Sequence, residues 1–182
     1  MPEVEIVEYD PSWPERFARL AGSLRRALGE RAARIDHIGS TSVPGLAAKD
    51  VIDVQVSVAD LEPFATLHDA IVGVGYEWTA SNPDLRKRFF RIETADGVRV
   101  SNLHVRRLGE FSEQAALLFR DYLRARPAAR RRYEEEKRSL ATRSWPTVDH
   151  YAEAKGDCVW ALLREADVWS WTIGWRAGPP DR

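Results

Sequence analysis

The sequence predicts an α/β (α+β) fold with a helical carboxyl-terminal half, and three observations carry that prediction. VIDVQVSV, residues 51–58, alternates strictly: Ile52, Val54, Val56 and Val58 take one face, and Asp53, Gln55 and Ser57 the other. That is the period of a strand. Upstream, Phe17, Leu20, Leu24 and Leu28 recur at helical spacing. From about 112 to 166 the chain reads as three helices, with Pro127 and the Trp145-Pro146 pair as breaks.

The elements follow in order. Residues 4–7, VEIV, suit a short first strand. Ser12 is placed to cap the helix after it, with Glu15 completing a capping box, Pro14 tolerated in the first turn and Gly29 as the stop. Residues 33–38 read as a strand ending at Gly39, and 39–50 as a loop whose turn signal is Pro44-Gly45. Asp60 is placed to cap a helix carrying Leu61, Phe64, Leu67 and Ile71, which Gly73 and Gly75 end. RKRFFRI, 86–92, and VRVSNLHVR, 98–106, flank Ala95-Asp96-Gly97, a hairpin signal. One unit is expected, with 1–108 as the α/β core, 109–167 as a helical cover and 168–182 as a tryptophan-rich tail, because the amino-terminal part alone is small.

Composition narrows the classes. Apolar residues make up 44% of the 182 and charged residues 30%, which argues against wholesale disorder and for one domain with a real core. The formal net charge is -1, so any anion site must come from local clustering. Cys158 is the only cysteine, which excludes an intramolecular disulfide and a cysteine-rich metal site. The first residues lack the basic start and apolar run of a signal peptide. No apolar stretch approaches the roughly 18 residues of a membrane span. The expectation is a cytoplasmic protein with no membrane partner.

Chemistry concentrates around the 39–50 loop. Gly39 permits a sharp turn and a close backbone approach to a ligand. Ser40, Thr41 and Ser42 add hydroxyls, and their amides can form an anion-binding nest. Lys49 adds a point charge. GSTSVPGLAAK lacks the spacing of a P-loop, so an ordinary turn is the competing reading. Asp53 sits on a strand whose opposite face is entirely β-branched, which puts it at a solvent edge or in a pocket. Magnesium takes carboxylate oxygens and keeps several waters. Gln55, next on that face, can coordinate but carries no charge. Asn102 and His104 share a strand face and reach the same pocket if their strand neighbours that of Asp53. His104, like His37, is a candidate base, donor or metal ligand, with a satisfied structural histidine as the alternative. Arg86, Lys87, Arg88 and Arg91 cluster. Alternation groups Arg88 with Phe90, and Arg88 is the favoured anion contact. Basic residues also exceed acidic ones between 120 and 143, where Arg120, Arg124 and Lys137 can line a polyphosphate channel or form a solvated face.

VEYDPSWPERF, HIGSTSVPGLAAKDVID, SNLHV, FRDYLRARP, YEEEK and DHYAEAKGD run from about residue 7 to 165. Together they resemble the GrpB family, which also occurs fused to some dephospho-CoA kinases. The resemblance implies a nucleotidyltransferase-like mixed sheet flanked by helices. In that superfamily a Gly-Ser pair binds nucleotide phosphates, an Asp-x-Asp pair holds metal ions, and a third carboxylate often comes from a later strand. Gly39 and Ser40 match the first pair, and Asp53 the first acidic position. Gln55 stands where the second Asp would be, and Asn102 or His104 near the third. With one clear carboxylate, a single substrate-borne magnesium is expected.

These readings converge on a magnesium-dependent transferase that uses a nucleoside triphosphate, ATP first, to nucleotidylate a small-molecule acceptor. Gly39 to Ser42, Lys49, Arg120 and Lys137 bind phosphate, Asp53 and Gln55 face the metal, Arg88 stabilises developing charge, and His104 orients or deprotonates the acceptor. An ATP-dependent ligase with an activated acyl intermediate and a non-catalytic phosphate-binding or protein-interaction module remain as alternatives. Nucleic acid is weighed against as a partner, since RNA-binding signatures and interleaved aromatics are absent. The tail DVWSWTIGWRAGPPDR places Trp169, Trp171, Ile173 and Trp175 on one face if extended. It reads as an edge strand, a homodimer surface or a substrate lid.

Overall fold

A computed structural model describes residues 4–82, 84 and 86–181; Met1–Glu3 and Arg182, the outer limits of the expected unit, lie outside the described residues. Helix α1 spans Trp13–Leu28, strand β1 Ala32–Ile38, β2 Ile52–Val58 and helix α2 Phe64–Val72. Strands β3, Glu77–Trp78, β4, Lys87–Glu93, and β5, Arg99–Arg107, follow. The helical half comprises α3, Phe111–Ala125, α4, Pro127–Ala141, α5, Val148–Ala154, and α6, Gly156–Ile173. The mixed sheet has the order β1-β2-β5-β4-β3. Strands β2 and β5 run parallel, and the other pairs antiparallel.

The alternation of β2 sets the layering. Ile52, Val54, Val56 and Val58 join Leu103, Val105 and Phe90 in a core that α1 covers with Trp13, Phe17, Ala21, Leu24 and Leu28. Helix α2 adds Leu67 and Ile71 to that layer. The opposite face is polar. Ser57 donates to Glu113 Oε1 at 2.7 Å, and Gln55 Nε2 to the Glu113 carbonyl at 3.3 Å, which docks the start of α3. A second apolar cluster unites Val43 and Leu46 of the 39–50 loop with Tyr122, Leu123, Tyr133 and Leu162.

Several local expectations are corrected. Ser12 makes no side-chain cap; its N–H instead donates to Asp10 Oδ1 at 2.7 Å. Glu15 pairs with Arg19 at 2.6 Å rather than closing a capping box. Residues 4–7 form an isolated bridge, Val7 to Ala48, in place of a strand. Helix α2 starts at Phe64, later than a cap at Asp60 would place it. The tail is not extended, because α6 continues through Ile173. Trp169 therefore packs on Tyr122, ring centres 5.5 Å apart, while Trp171 is 82% exposed. Among the described residues, no helix is long and apolar enough to cross a membrane.

After Gly174, in the left-handed region at φ 63°, the chain folds back over α3 and β1. Trp175 Nε1 donates to Asp121 at 3.1 Å. Asp181 accepts from His37 N at 2.9 Å and from Arg120 Nη1 at 3.1 Å. Arg120 is buried, so an unmatched arm of its guanidinium is costly. Deleting residues 175–182 is expected to lower stability by about 2–4 kcal/mol. For a chain of this size that is a fall of roughly 5–12 °C in Tm. An unchanged unfolding curve would show that these contacts contribute nothing.

Candidate active site

The site begins with a backbone constraint. Gly39 has φ +70°, and a Cβ there would lie 2.2 Å from Asp53 Oδ2. Only glycine permits both the conformation and the approach. Ser40–Ser42 then make a single 3-10 turn. Ser42 spends its hydroxyl on the Gly39 carbonyl at 2.6 Å. The Ser42 amide donates to the Gly39 carbonyl at 3.3 Å, which takes it out of the expected nest, and the Val43 amide donates to the Ser40 carbonyl at 3.1 Å. Thr41 Oγ1 lies 3.0 Å from His37 Nε2. Ser40 is bonded to the Tyr133 hydroxyl, whose pKa burial pushes up to about 12.

The helical half holds this loop from outside. Arg124 donates twice to the Ser42 carbonyl, at 3.0 and 2.8 Å. Arg130 donates to the Pro44 carbonyl at 3.1 Å. Ala47 is held at both backbone groups: its N–H donates to Glu134 at 3.2 Å, and its carbonyl accepts from Lys137.

Parallel pairing of β2 with β5 sets Asp53 beside Asn102 and Gln55 beside His104. Asn102 Nδ2 donates to Asp53 Oδ1 at 2.8 Å. His104 Nε2 stands 4.0 Å from the same oxygen. Burial raises the Asp53 pKa, opposed by the Asn102 bond and by Lys49, Lys155 and Arg106. Burial, then Arg106 and Lys87, holds His104 well below the ordinary histidine value.

A cavity of about 570 Å³ opens over this pair, between the polar face of the sheet and helices α4 and α5. Of the residues expected at a site, Ser40, Thr41, Lys49, Asp53, His104 and Lys137 line it. Lys87, Arg91 and Arg99 line it from β4 and β5, and Tyr151 and Lys155 from the helical half. Burial, and then Lys155, lowers the Lys137 pKa to about 7. Lys155 is also lowered by burial, against the pull of Asp53. The Lys49 and Lys155 ammonium groups lie 5.4 and 4.9 Å from the Tyr151 ring centre. Among the described residues, Thr79 Oγ1, Asn102 Oδ1, His104 Nδ1 and Tyr151 Oη are buried without a hydrogen-bond partner, and all four residues face this cavity. Buried polar atoms of that kind are natural contacts for a ligand.

Other expected residues are elsewhere. Arg88 projects to the opposite face with Phe90, which is core. It pairs with Glu62 at 2.8 Å and lies over the Phe64 ring at 5.2 Å. The cavity face of β4 is that of Lys87, Phe89 and Arg91. Gln55 is fully buried, accepting from Arg106 and donating to Glu113, so it is not placed to hold a metal. Arg120 is spent on Asp121 at 2.8 Å, Asp181, the His37 carbonyl and Asp36 at 3.6 Å. His37 is stacked on Phe17 at 4.7 Å, and burial with Arg124 and Arg120 pushes its pKa to about 3, which marks a structural histidine. Tyr151 and Lys155 lie within DHYAEAKGD, but no local pattern connects them to Asp53.

Among the described residues, no group of three or more His, Cys, Asp or Glu gathers to hold a metal. Asp53 and the unpartnered Asn102 Oδ1 fit one oxygen-liganded ion that takes its remaining ligands from phosphate and water. They do not fit a pair of ions.

Comparison with known proteins places this architecture. The family model described as GrpB protein matches residues 3–165. The UPF0157 protein BH1888 of Halalkalibacterium halodurans is 39% identical, over 91% of this chain and 83% of that protein. A dephospho-CoA kinase of Mycolicibacterium paratuberculosis is 36% identical over 95% of this chain, which spans only 48% of the kinase's length. The crystal structure of the conserved protein GrpB from Enterococcus faecalis superposes with a TM-score of 0.82, at 32% identity, covering 92% of this chain and 99% of that one. That match bears out the mixed sheet with a helical carboxyl-terminal half.

One expectation is overturned. Solved structures that match include a cytoplasmic RNA terminal U-transferase, at 12% identity, a TM-score of 0.44, and coverage of 72% of this chain and 43% of that one. The expectation against nucleic acid is withdrawn in their light, and no RNA is assigned to this chain from them.

Two glycine substitutions test the backbone constraint. Gly39→Ala is expected to cost about 2–4 kcal/mol in chemical denaturation, from positive φ and the clash with Asp53. Gly45→Ala shares the positive φ, at +74°, but meets nothing within 4 Å. It is expected to cost about 1 kcal/mol. Equal costs would show that the loop moves freely away from Asp53.

Proposed function

The chain belongs to the GrpB family, and from that premise we propose that it is a nucleotide-dependent transferase. In this reading the cavity binds a magnesium-bound nucleoside triphosphate, ATP first, and passes its nucleotidyl group to a small-molecule acceptor. The observation that carries the reading is the set of cations around one partly buried carboxylate, Asp53. Lys49, Lys137 and Lys155 approach it from the helical side. An anion in this space offsets the repulsion between the Lys137 and Lys155 ammonium groups.

Roles follow from position. The Ser40 and Thr41 hydroxyls, with Lys49, Lys137 and Lys155, hold the phosphates. Asp53 and Asn102 hold the metal, which when bound supplies positive charge shared with the phosphate oxygens. Phe89 and His104, with ring centres 5.1 Å apart, offer flat faces to a base or an acceptor. A non-catalytic phosphate-binding module is the second reading. The engagement of Gln55 by Arg106 and Glu113 favours it, since a second metal ligand is thereby lost.

Calorimetry with ATP, GTP, CTP and UTP, with and without magnesium, tests binding. Magnesium-dependent affinity is expected, weakened roughly tenfold or more in Asp53→Asn. Equal binding by wild type and variant would remove Asp53 from the site. Turnover then separates the two readings, because a binding module releases no pyrophosphate.

Lys137 gives a second handle. Its pKa is held near 7 against an ordinary value of 10.5. A neighbouring phosphate raises it, so binding at about pH 8 draws in a proton, and affinity falls as pH climbs from about 7 toward the ordinary lysine range. The binding enthalpy at that pH is expected to vary with the ionisation heat of the buffer, and Lys137→Met to abolish the variation. Buffer-independent enthalpy in the wild type would refute the contact. Without ligand, the unfolded chain keeps a proton that the folded one lacks between about 7 and 10.5. This residue's contribution to stability therefore rises with pH across that window.

A further inference from the structure

The nucleotidyl-transfer reading leaves the acceptor unnamed, and the β4 side of the cavity bears on it. A hydroxyl acceptor must lose a proton as it attacks phosphorus. Two-metal sites provide for this by holding a second ion on the attacking oxygen. The ligands for that second ion are not built here. Gln55 is buried and bonded to Arg106 and Glu113. Strand β5 offers the amide of Asn102 and the imidazole of His104 in place of a carboxylate. Among the described residues, the carboxylate lining the cavity besides Asp53 is Glu153, which is exposed on α5.

The same region is rich in positive charge. Lys87 and Arg91 stand on β4, which β5 separates from β2. Among the described residues Lys87 makes no ion pair, and its ammonium lies over the Phe89 ring at 5.3 Å. Arg91 and Arg99 share one carboxylate, Glu93, at 3.3 and 3.2 Å, so the trio remains positive. Thr79, tied to β4 through its N–H to the Phe89 carbonyl at 2.9 Å, brings a buried unpartnered hydroxyl to the cavity. Cations beside a hydroxyl donor suit an anion, and this set is separate from the lysines of the helical side.

We propose that the acceptor is a carboxylic acid, held by Lys87, Arg91 and Thr79, and that the product is an acyl-nucleotide mixed anhydride; this rests on the nucleotidyl-transfer reading. A carboxyl group, with an ordinary pKa of about 4, is ionised at neutral pH. It needs neither a base nor a second ion. One carboxylate oxygen attacks the α-phosphorus and forms a P–O bond. The bond from that phosphorus to the α,β-bridging oxygen breaks, and pyrophosphate leaves with the electron pair. No proton moves, and nothing is oxidised or reduced.

Pyrophosphate exchange tests the proposal. Wild-type protein with magnesium and ATP is incubated with labelled pyrophosphate and one of two kinds of pool. One holds amino acids, dicarboxylic acids and aromatic acids. The other holds sugars, aminoglycosides and nucleosides, which offer hydroxyls and amines without a carboxylate. Label is expected to enter ATP with an acid pool alone, and added hydroxylamine to yield a hydroxamate of matching mass. Lys87→Met is expected to raise the half-saturating acid concentration roughly tenfold, with triphosphate affinity by calorimetry within about twofold of wild type. Transfer to the hydroxyl and amine pool overturns the inference. So does magnesium-dependent ATP binding without exchange in any acid pool. Both outcomes leave triphosphate binding in place, whereas absence of that binding removes the parent reading and this one with it.

Discussion

The contact between Gly39 and Asp53 ties the 39–50 loop to strand β2 at the wall of the cavity. The Gly39 backbone takes the space that a side chain would fill beside the carboxylate. The loop after it cannot rise, because Arg124, Arg130, Glu134 and Lys137 grip its carbonyls and an amide from the helical half. Val43 and Leu46 are buried among those same helices. Loop, strand and helical half are therefore mechanically one body at this point. Bonds from charged side chains to backbone are among the stronger kinds in a protein. Their number here explains how a loop rich in small residues can hold one shape.

This arrangement also explains why one face of β2 tolerates so many polar side chains. Ser57 and Gln55 are satisfied by Glu113 at the start of α3. Glu113 in turn accepts from Gly109 N at 3.1 Å and from Gln114 at 2.8 Å. A buried polar network is acceptable when its members are matched. One step along the strand the matching stops, and Asp53, Asn102 and His104 face a cavity with atoms unpartnered. The boundary between structural and chemical polarity thus falls between Gln55 and Asp53, two residues apart on the same face.

Much of this was legible in the sequence, and the limits are physical. Strict alternation gave β2 its faces, Asp-Gly gave the β4–β5 hairpin, and Pro127 gave the start of α4. Local patterns fail where tertiary partners decide. Gln55 and Asp53 are equivalent by parity, and only the docking of α3 separates them. Arg88 and Arg91 are equally basic, and only the position of Phe90 in the core says which faces the cavity. Arg120 is a plausible phosphate contact until Asp36 and Asp181 are seen around it. The tail reads as a strand by its alternate tryptophans, yet the same residues continue α6, since alternation over so few positions does not distinguish the two periods. Tyr151 and Lys155 come from a helix whose approach to Asp53 no spacing encodes.

The distribution of charge has a consequence for how such a site differs from one built on two metal ions. There, carboxylates hold divalent cations, and the cations meet the phosphates. Here Asp53 is the carboxylate on the sheet, Glu153 stands exposed on α5, and ammonium and guanidinium groups stand at the cavity wall. Fixed side-chain cations are present before any ligand arrives, and they attract anions without a coordination shell to assemble. They do not bond directly to an attacking oxygen and strip its proton as a coordinated ion does. A cavity of this kind is strong at gathering negative charge and weak at creating a nucleophile. The flat faces at its wall come from Phe89, His104 and Tyr151, and Lys137 is its buried ammonium group. Burial disfavours the charged forms of Lys137 and Lys155, and an anion in contact with them offsets part of that cost.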